Sequence, residues 1–304
     1  MKEEKEEGWG AYFVTVFGLS LLVISFLYIL VCVDPSKNTC LAKVKHTLCL
    51  KLPRKCCRAG IDNAVTKIVF RVFKFVCYRR NPIIQVLYLV LAVGGFYYYW
   101  VVGFAMLPAP YVPEWTRYTG TALMFVCYYS YFKACTVCPG KLTSQERADT
   151  ALKVFEHDMV LFEAGHICKT CKFEKPARSK HCVVCDICVE KLDHHCIWIN
   201  NCVGLRNYKY FLTFLLTHAL LTTYGWVSGY FLLTNAVSQG KIRIRKWNNY
   251  DWYDRMIAVL NREPIFVGLC LMCFIISIMV FGFWAYHLWL ISKGNSTNEY
   301  MKRA

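Results

Sequence analysis

Acidic residues are scarce in this chain: 20 Asp and Glu stand against 36 Lys and Arg in 304 residues, a formal net charge of +16. Charge of either sign is nearly missing from its long apolar runs, where His218 is almost the only ionisable group. A transporter or channel needs polar or charged groups within its spans, so that class is set aside, and His218 reads as a packed core histidine. A soluble domain is excluded by the opposite imbalance. Hydrophobic types make up 56% and aromatics 16% of the residues, above the usual apolar share of a soluble protein, and the excess requires a membrane. In a polytopic protein Lys and Arg gather in cytoplasmic loops beside anionic headgroups, which accounts for the basic balance without nucleic acid. Eighteen cysteines would mean disulfides in a secreted chain. Seven of them fall between 168 and 202 at metal-ligand spacing, which calls for reduced thiolates and a cytosolic face.

Five stretches are long and apolar enough to be read as spans. Trp9–Val33 is the first; it is too long, and its front too mixed in charge, for a signal peptide, so residues 1–33 read as a retained N-terminal anchor. Residues 34–81 are basic throughout. Within them Ala64–Tyr78 interleaves apolar side chains with Lys67, Arg71 and Lys74 on one helical face, the pattern of an amphipathic helix lying among headgroups. Cys49, Cys56, Cys57 and Cys77 share that surface and are candidates for acylation or plain free thiols. Pro82–Leu107 is the second span, with Tyr97–Trp100 as an interfacial belt, and Pro108–Pro113 is a stiff turn. The third, about Tyr118–Ala134, is marginal and should extend a few residues at either end. A polar connector over 141–167 contains an expected short helix, Ser144–Phe155. Tyr208 to about Ala236 is the fourth span, 237–263 a loop, and Ile265 to about Ile291 the fifth.

Between spans three and four lies the cysteine-rich segment. It reads Cys168-Lys-Thr-Cys171, then His181-Cys182, Cys185, Cys188, Asp193-His194-His195-Cys196 and Asn200-Asn201-Cys202-Val203-Gly204. Paired Cys-x-x-Cys units followed by Cys and His at short intervals suit tetrahedral zinc. Seven cysteines and three histidines give ten candidate ligands, whereas two closed sites need eight. If the two left over are one Cys and one His, they have the composition of a thiol nucleophile and its general base. A strand over 193–196 would put His194 and Cys196 on one face and His195 on the other. Asp193 would then need a turn to reach His194. Cys135 and Cys138 could be taken for a further zinc pair, but no second pair is left unclaimed in the segment.

This stretch resembles the cysteine-rich domain of the DHHC protein S-acyltransferases, or palmitoyltransferases. Asp193-His194-His195-Cys196 is the naming motif, and the likeness extends over Lys175–Ser179, Asn200–Gly204 and Asn207-Tyr208. It implies one zinc on Cys168, Cys171, His181 and Cys188 and a second, interleaved, on Cys182, Cys185, His195 and Cys202. It also implies Cys196 as nucleophile, His194 as its base and Asp193 as orienter. Ser296-Thr297-Asn298-Glu299 resembles the family's Thr-Thr-x-Glu motif with Ser in the first position, and Thr297 takes the role of supporting the Asp. Many members carry Asp-Pro-Gly where this chain has Cys138-Pro139-Gly140, which weakens any role of that Asp. The resemblance covers roughly residues 82–299. The chain ends five residues after Glu299, short of the longer tail with a further motif that many members carry.

The expected architecture is a polytopic α-helical membrane protein with five spans and a cytosolic two-zinc domain over 135–207. Residues 82–134 hold spans two and three, 208–291 spans four and five, and 292–304 a cytosolic tail. Parity then puts 34–81 on the cytosolic side and the N-terminus and 237–263 in the lumen, although the basic residues of 237–263 conflict with the positive-inside rule. The implied reaction is two-step acyl transfer from palmitoyl-CoA through a thioester on Cys196 to cysteines of membrane-associated proteins, in the endoplasmic reticulum or Golgi. Arg178, Lys180, Arg206 and Lys209 are the cations expected near the CoA phosphates. The competing expectation is a non-catalytic zinc scaffold or a RING-like ligase. That would need the eight ligands but neither Cys196 nor His194.

Overall fold

A computed structural model describes residues 79–238 and 263–303, with Arg71, Phe75 and Leu260. The expected first span and interfacial helix, and almost all of the loop 237–263, lie outside the described residues. The chain divides into two compact units, 1–83 and 84–304. At the end of the first, the Asn81 amide donates to the carbonyls of Phe75 and Arg79, and its oxygen accepts from the Ile83 N–H at 3.1 Å.

Helix α1, Ile83–Tyr98, runs on through a π turn, Tyr99–Gly103, and a 3-10 turn, Phe104–Met106. It stops before Pro108, which has no N–H to continue the ladder. Helix α2 is Thr116–Thr136, two residues longer at each end than the span read from sequence. After the β-rich module come α4, Tyr208–Ser238, α5, Pro264–Ser292, opened by a proline in its first turn, and the short α6, Thr297–Arg303. Among the described residues, Ile83–Met106 and Pro264–Ser292 are long and apolar enough to cross a bilayer, with mean hydropathies of 1.6 and 2.8.

Helices α2 and α4 carry more Thr, Ser and Tyr, and a few of those groups reach their neighbours. Ser130 and Thr217 hydroxyls lie 3.4 Å apart, Tyr99 bonds Ser228 at 2.7 Å, and the Tyr224 hydroxyl donates to the Thr116 carbonyl. Helix α4 is the shared element, packing on both α2 and α5. Gly120 makes the α2–α4 approach possible, because a Cβ there would meet the Tyr224 ring at 2.7 Å. The described residues thus hold four long helices, two of them with the apolarity of a span, and the membrane character follows from those two.

The module between α2 and α4 is built from strands of two or three residues. Strand β1, Lys141–Leu142, pairs antiparallel with β3, Ile187–Val189, which pairs with β2, Lys180–Cys182. Strands β4, His194–Cys196, and β5, Asn201–Val203, form a separate hairpin. Helix α3, Gln145–Leu152, starts where expected, with the Ser144 hydroxyl accepting from the Arg147 N–H, but ends three residues short of Phe155. Its buried face consists of Ala148 and Ala151 alone, and i→i+3 bonds from Lys153 and Val154 close it.

Two asparagines join the module to the bundle. The Asn201 amide donates to the carbonyls of Ala134, Cys135 and Val137 at 3.1–3.4 Å, so the orphan acceptors at the end of α2 are satisfied by a side chain from β5. The Asn207 amide reaches the carbonyls of Cys202 and Ala134, while its oxygen takes the Gly204 N–H at 2.9 Å. Gly204 sits in this joint without room for a side chain: a Cβ would lie 2.5 Å from the Pro139 carbonyl oxygen and 2.8 Å from Val189. Gly204→Ala should therefore destabilise the module by about 1–3 kcal/mol, the usual cost of overpacking against backbone. A thermal midpoint unchanged from the unaltered protein would show that the joint is looser than these distances imply.

Candidate functional site

Two ligand sets grow out of the strand geometry. Successive residues on a strand face opposite ways, so His181 and Cys182 on β2 serve different sets. Cross-strand pairing then brings partners together: His181 stands opposite Cys188, and His195 opposite Cys202. The resulting groups are Cys168, Cys171, His181, Cys188 and Cys182, Cys185, His195, Cys202, with the ligand atoms of each within 4.8 Å of one another. These are the two sets implied by the resemblance.

In the first set, His181 Nδ1 lies 3.6, 3.4 and 3.8 Å from the sulfurs of Cys168, Cys171 and Cys188. In the second, His195 Nδ1 lies 3.7, 3.4 and 3.6 Å from Cys182, Cys185 and Cys202. Zinc bond lengths of about 2.3 Å to sulfur and 2.0 Å to nitrogen place these atoms about 3.6 Å apart on a tetrahedron. The donors therefore fit zinc. Each Cys-x-x-Cys unit folds the same way, with the second cysteine's N–H aimed 3.4 Å from the first one's sulfur and the following residue, Lys172 or Asp186, at positive φ. Asp186 approaches the outer nitrogen of His181 at 3.3 Å, the kind of carboxylate contact that orients a ligating imidazole. A signal for this pairing was available in the sequence. Both sets follow Cys-x2-Cys-x9-His-x6-Cys, the second starting at 182 where the first starts at 168.

Strand β4 delivers His195 to the second set and leaves His194 and Cys196 on the other face, as the alternation requires. Asp193, just before the strand, bonds His194 Nδ1 through Oδ2 at 2.7 Å, and its other oxygen accepts the Thr297 backbone N–H at 2.7 Å. Support for Asp193 thus comes from the Thr297 main chain; the Thr297 hydroxyl is buried and has no partner among the described residues. With Nδ1 held by a carboxylate, Nε2 is the nitrogen left for the hydrogen bond His194 shares with Cys196. Burial works against the Cys196 thiolate, but the hydrogen bond and charge of His194, with the N–H groups of Ile199 and Trp198, outweigh it and hold the thiol below its ordinary value. Burial also works against the His194 imidazolium. Its bonds to Asp193 and Cys196 prevail and raise the ring to about 10. The arrangement favours a thiolate–imidazolium pair, an activated nucleophile with an oriented base.

Cys196 faces the bundle. It is buried in one apolar cluster with Ile199, Val203, Cys127, Tyr131, Ala134, Phe211, Phe214 and Leu215. The turn after β4 is tied down by the Tyr131 hydroxyl on the Trp198 carbonyl at 3.0 Å. A thioester on this sulfur would have helix side chains, rather than water, beside its chain.

The tail motif forms a capping box at the start of α6. The Ser296 hydroxyl accepts from the Glu299 N–H and the Glu299 carboxylate from the Ser296 N–H. Glu299, nearly fully buried, then takes a forked ion pair from Arg178 at 2.6 and 2.5 Å, and Arg178 also donates to the Gly294 carbonyl. Arg178 was expected at the CoA phosphates; in the structure its guanidinium fork is taken up by Glu299 of α6. Sequence reading missed this partnership, although the Ser-x-x-Glu signature that sets Glu299 in place was legible. Lys180 likewise donates to Asn298 at 2.6 Å. Arg206 pairs with Glu190 at 3.0 Å, and Lys209 lies over the Tyr210 ring.

Among the described residues Cys135 and Cys138 join no ligand group. Burial opposes the Cys138 thiolate, but the N–H groups of Gly140 and Lys141 and the charges of Lys141 and Arg206 keep this thiol below its ordinary value. It accepts turn hydrogen bonds, as an Asp at this position could. His218 is half-buried in the bundle within reach of Tyr88 and Cys127, as a packed histidine should be.

A family comparison matches residues 161–304 to DHHC palmitoyltransferase. Palmitoyltransferase swf1 of Schizosaccharomyces pombe is 35% identical over 227 residues, 74% of this chain and 60% of that protein. Palmitoyltransferase ZDHHC4 of Mus musculus is 33% identical over 175 residues, 55% of this chain and 51% of its own length. Palmitoyltransferase ZDHHC4 of Bos taurus is 30% identical over 251 residues, 80% of this chain and 72% of its own. The matches to the first two thus span about half to three-fifths of those relatives. With the ligand sets and the Asp-His-His-Cys strand in place, these likenesses establish that the chain belongs to the DHHC palmitoyltransferase family.

Proposed function

We propose that this chain is a protein S-acyltransferase that moves a long-chain acyl group, palmitoyl above all, from acyl-CoA to cysteines of membrane-associated proteins. The observation that carries the reading is the hydrogen-bonded row Asp193–His194–Cys196 against the bundle, with Cys196 the cysteine of its strand and hairpin that neither ligand set uses. A scaffold needs no such row. The names of the relatives agree.

In the first step His194 takes the Cys196 proton, the sulfur attacks the thioester carbonyl, the bond from carbonyl carbon to CoA sulfur breaks, and CoA leaves with the proton from His194. In the second a target cysteine gives its proton to His194 and attacks the acyl-enzyme, and Cys196 departs and is reprotonated. Two exchanges between thioesters of similar energy need only a modest base. The eight ligands would hold two zinc ions whose contribution is structural, tying together β2, β3, β4 and β5 and with them the hairpin that carries Cys196. The acyl chain would lose about 0.8 kcal/mol per methylene on leaving hydrocarbon for water, which is why the thiol stands at the bundle. Arg206 and Lys209, less enclosed than Arg178, are the cations left for the CoA phosphates, with Lys180 beside α6. The module and residues 34–81 face the cytosol in a five-span chain of the endoplasmic reticulum or Golgi, with residues 1–8 and 237–263 in the lumen.

Cys196→Ser should keep the fold and both metals while abolishing autoacylation, because a serine oxygen is too weak a nucleophile beside an imidazole. His194→Ala should slow acyl-enzyme formation about 100-fold or more, and Asp193→Asn should do so less completely. The measurement is hydroxylamine-sensitive incorporation of labelled palmitate from palmitoyl-CoA into purified protein, with zinc content alongside. Equal labelling of Cys196→Ser and the unaltered chain would move the acyl group elsewhere and end the assignment.

Elemental analysis should find two zinc ions per chain, and Cys182→Ala or His195→Ala should cost folding together with activity. A single zinc in active protein would contradict the paired sets. Glycosylation acceptors placed in 1–8, 34–81, 135–207 and 237–263 should be modified only in the first and last. Modification within 34–81 would refute the five-span order.

A further inference from the structure

A second imidazole stands beside the base. His287, on the last turns of α5, is fully buried, and its ring packs against His194 with centroids 6.0 Å apart. Phe283 of the same helix lies 4.5 Å from it and Phe211 of α4 5.4 Å; both also contact His194, at 6.5 and 5.3 Å. The His194 ring is therefore walled by two phenyl groups and an imidazole, with Asp193 holding its Nδ1. His287 has a tether of its own. The Tyr208 hydroxyl of α4 lies 2.9 Å from its Nδ1, whereas its Nε2 is buried and has no hydrogen-bond partner among the described residues. With the hydroxyl donating, Nε2 carries the ring proton. An unpaired N–H this deep calls for an explanation, and a phenylalanine would have filled the same space without it. The imidazole that His287 packs against is the one that Asp193 holds.

We propose that His287, tethered by Tyr208, is a positioning residue for acyl transfer, fixing the orientation of His194 between Asp193 and Cys196 from the side opposite the zinc-binding strand face. This rests on the acyltransferase reading above. Two elements reach the pair from the same stretch of chain: α5 through His287, and α6, five residues after it ends, through the Thr297 N–H on Asp193. The surrounding rings keep the imidazole of His194 from turning away from Cys196, and the Tyr208 tether keeps His287 in that cage. Neither contribution involves the acyl-CoA itself.

The test uses the full chain in detergent and single-turnover acylation of Cys196 by palmitoyl-CoA. His287→Phe keeps a ring in the cage and removes both nitrogens; Tyr208→Phe removes only the tether. Each should slow acyl-enzyme formation at saturating palmitoyl-CoA about tenfold, the order expected when a base is loosened rather than lost. KM for palmitoyl-CoA should stay within about twofold, with zinc content and thermal midpoint unchanged. Because the two groups act through one hydrogen bond, the double variant should be no slower than the worse single one. His287→Asn, which offers an acceptor at the place of Nδ1, should recover part of the rate.

Unaltered rates in both single variants would overturn the proposal. So would additive losses, a rise in KM with the rate preserved, or slowing that comes only with loss of zinc. If the unaltered chain forms no thioester on Cys196, the acyltransferase reading fails and this proposal with it; a labelled parent beside equally fast variants refutes the positioning role alone.

Discussion

The carboxylate of Asp193 is where the parts of this protein meet. One oxygen holds His194 and the other holds the N–H of Thr297, 104 residues further on, both at 2.7 Å. A carboxylate buried this deeply is tolerable only when its oxygens are paired. Separating α6 from the module would expose that need at once. The forked pair between Arg178 and Glu299 secures the same junction from the other direction. The geometry beside Cys196 therefore depends on α6 as much as on the strand that carries the thiol.

The module has little apolar core of its own. Its buried residues include Cys182, Cys188, Cys202, Val189 and Leu192, so cysteines take much of the space that aliphatic side chains would fill in a larger domain. Strands of two or three residues do not persist by backbone pairing alone. Ligand geometry and the Asn201 and Asn207 joints to α2 supply the rest. The joints also fix the height of Cys196 against the bundle, because the amide that closes α2 sits directly across the β4–β5 hairpin from the thiol.

Electrostatics at the site works against burial and prevails. An isolated thiol placed where Cys196 lies would keep its proton. His194 changes that only while Asp193 holds the other ring nitrogen, so the useful unit is the row of three side chains rather than any one of them. Phe211, Phe283 and His287 line one side of the His194 ring.

Much of this was legible in the sequence. Ligand counting left two groups over, and the period of a strand separated His195 from His194 and Cys196; both arguments hold because zinc has a fixed valence of ligands and a strand a fixed alternation. The long helices announced themselves by uninterrupted apolar runs, although α2 and α4 are more polar than spans alone would need, most of their Ser and Thr hydroxyls bonding carbonyls one turn back and a few reaching a neighbouring helix. What the sequence could not decide is who stands beside whom across long separations. Arg178 reads as a cation near the CoA phosphates, and only the fold sets its guanidinium on Glu299 of α6; Thr297 reads as support for Asp193, and only the fold shows that its main-chain N–H makes the bond; His287 belongs to no sequence pattern until the fold sets it against His194. Ligand spacing and hydrophobic period are local, and a local pattern carries its own geometry. Contacts between residues a hundred positions apart depend on how α4 and α5 pack, and only the tertiary structure determines that.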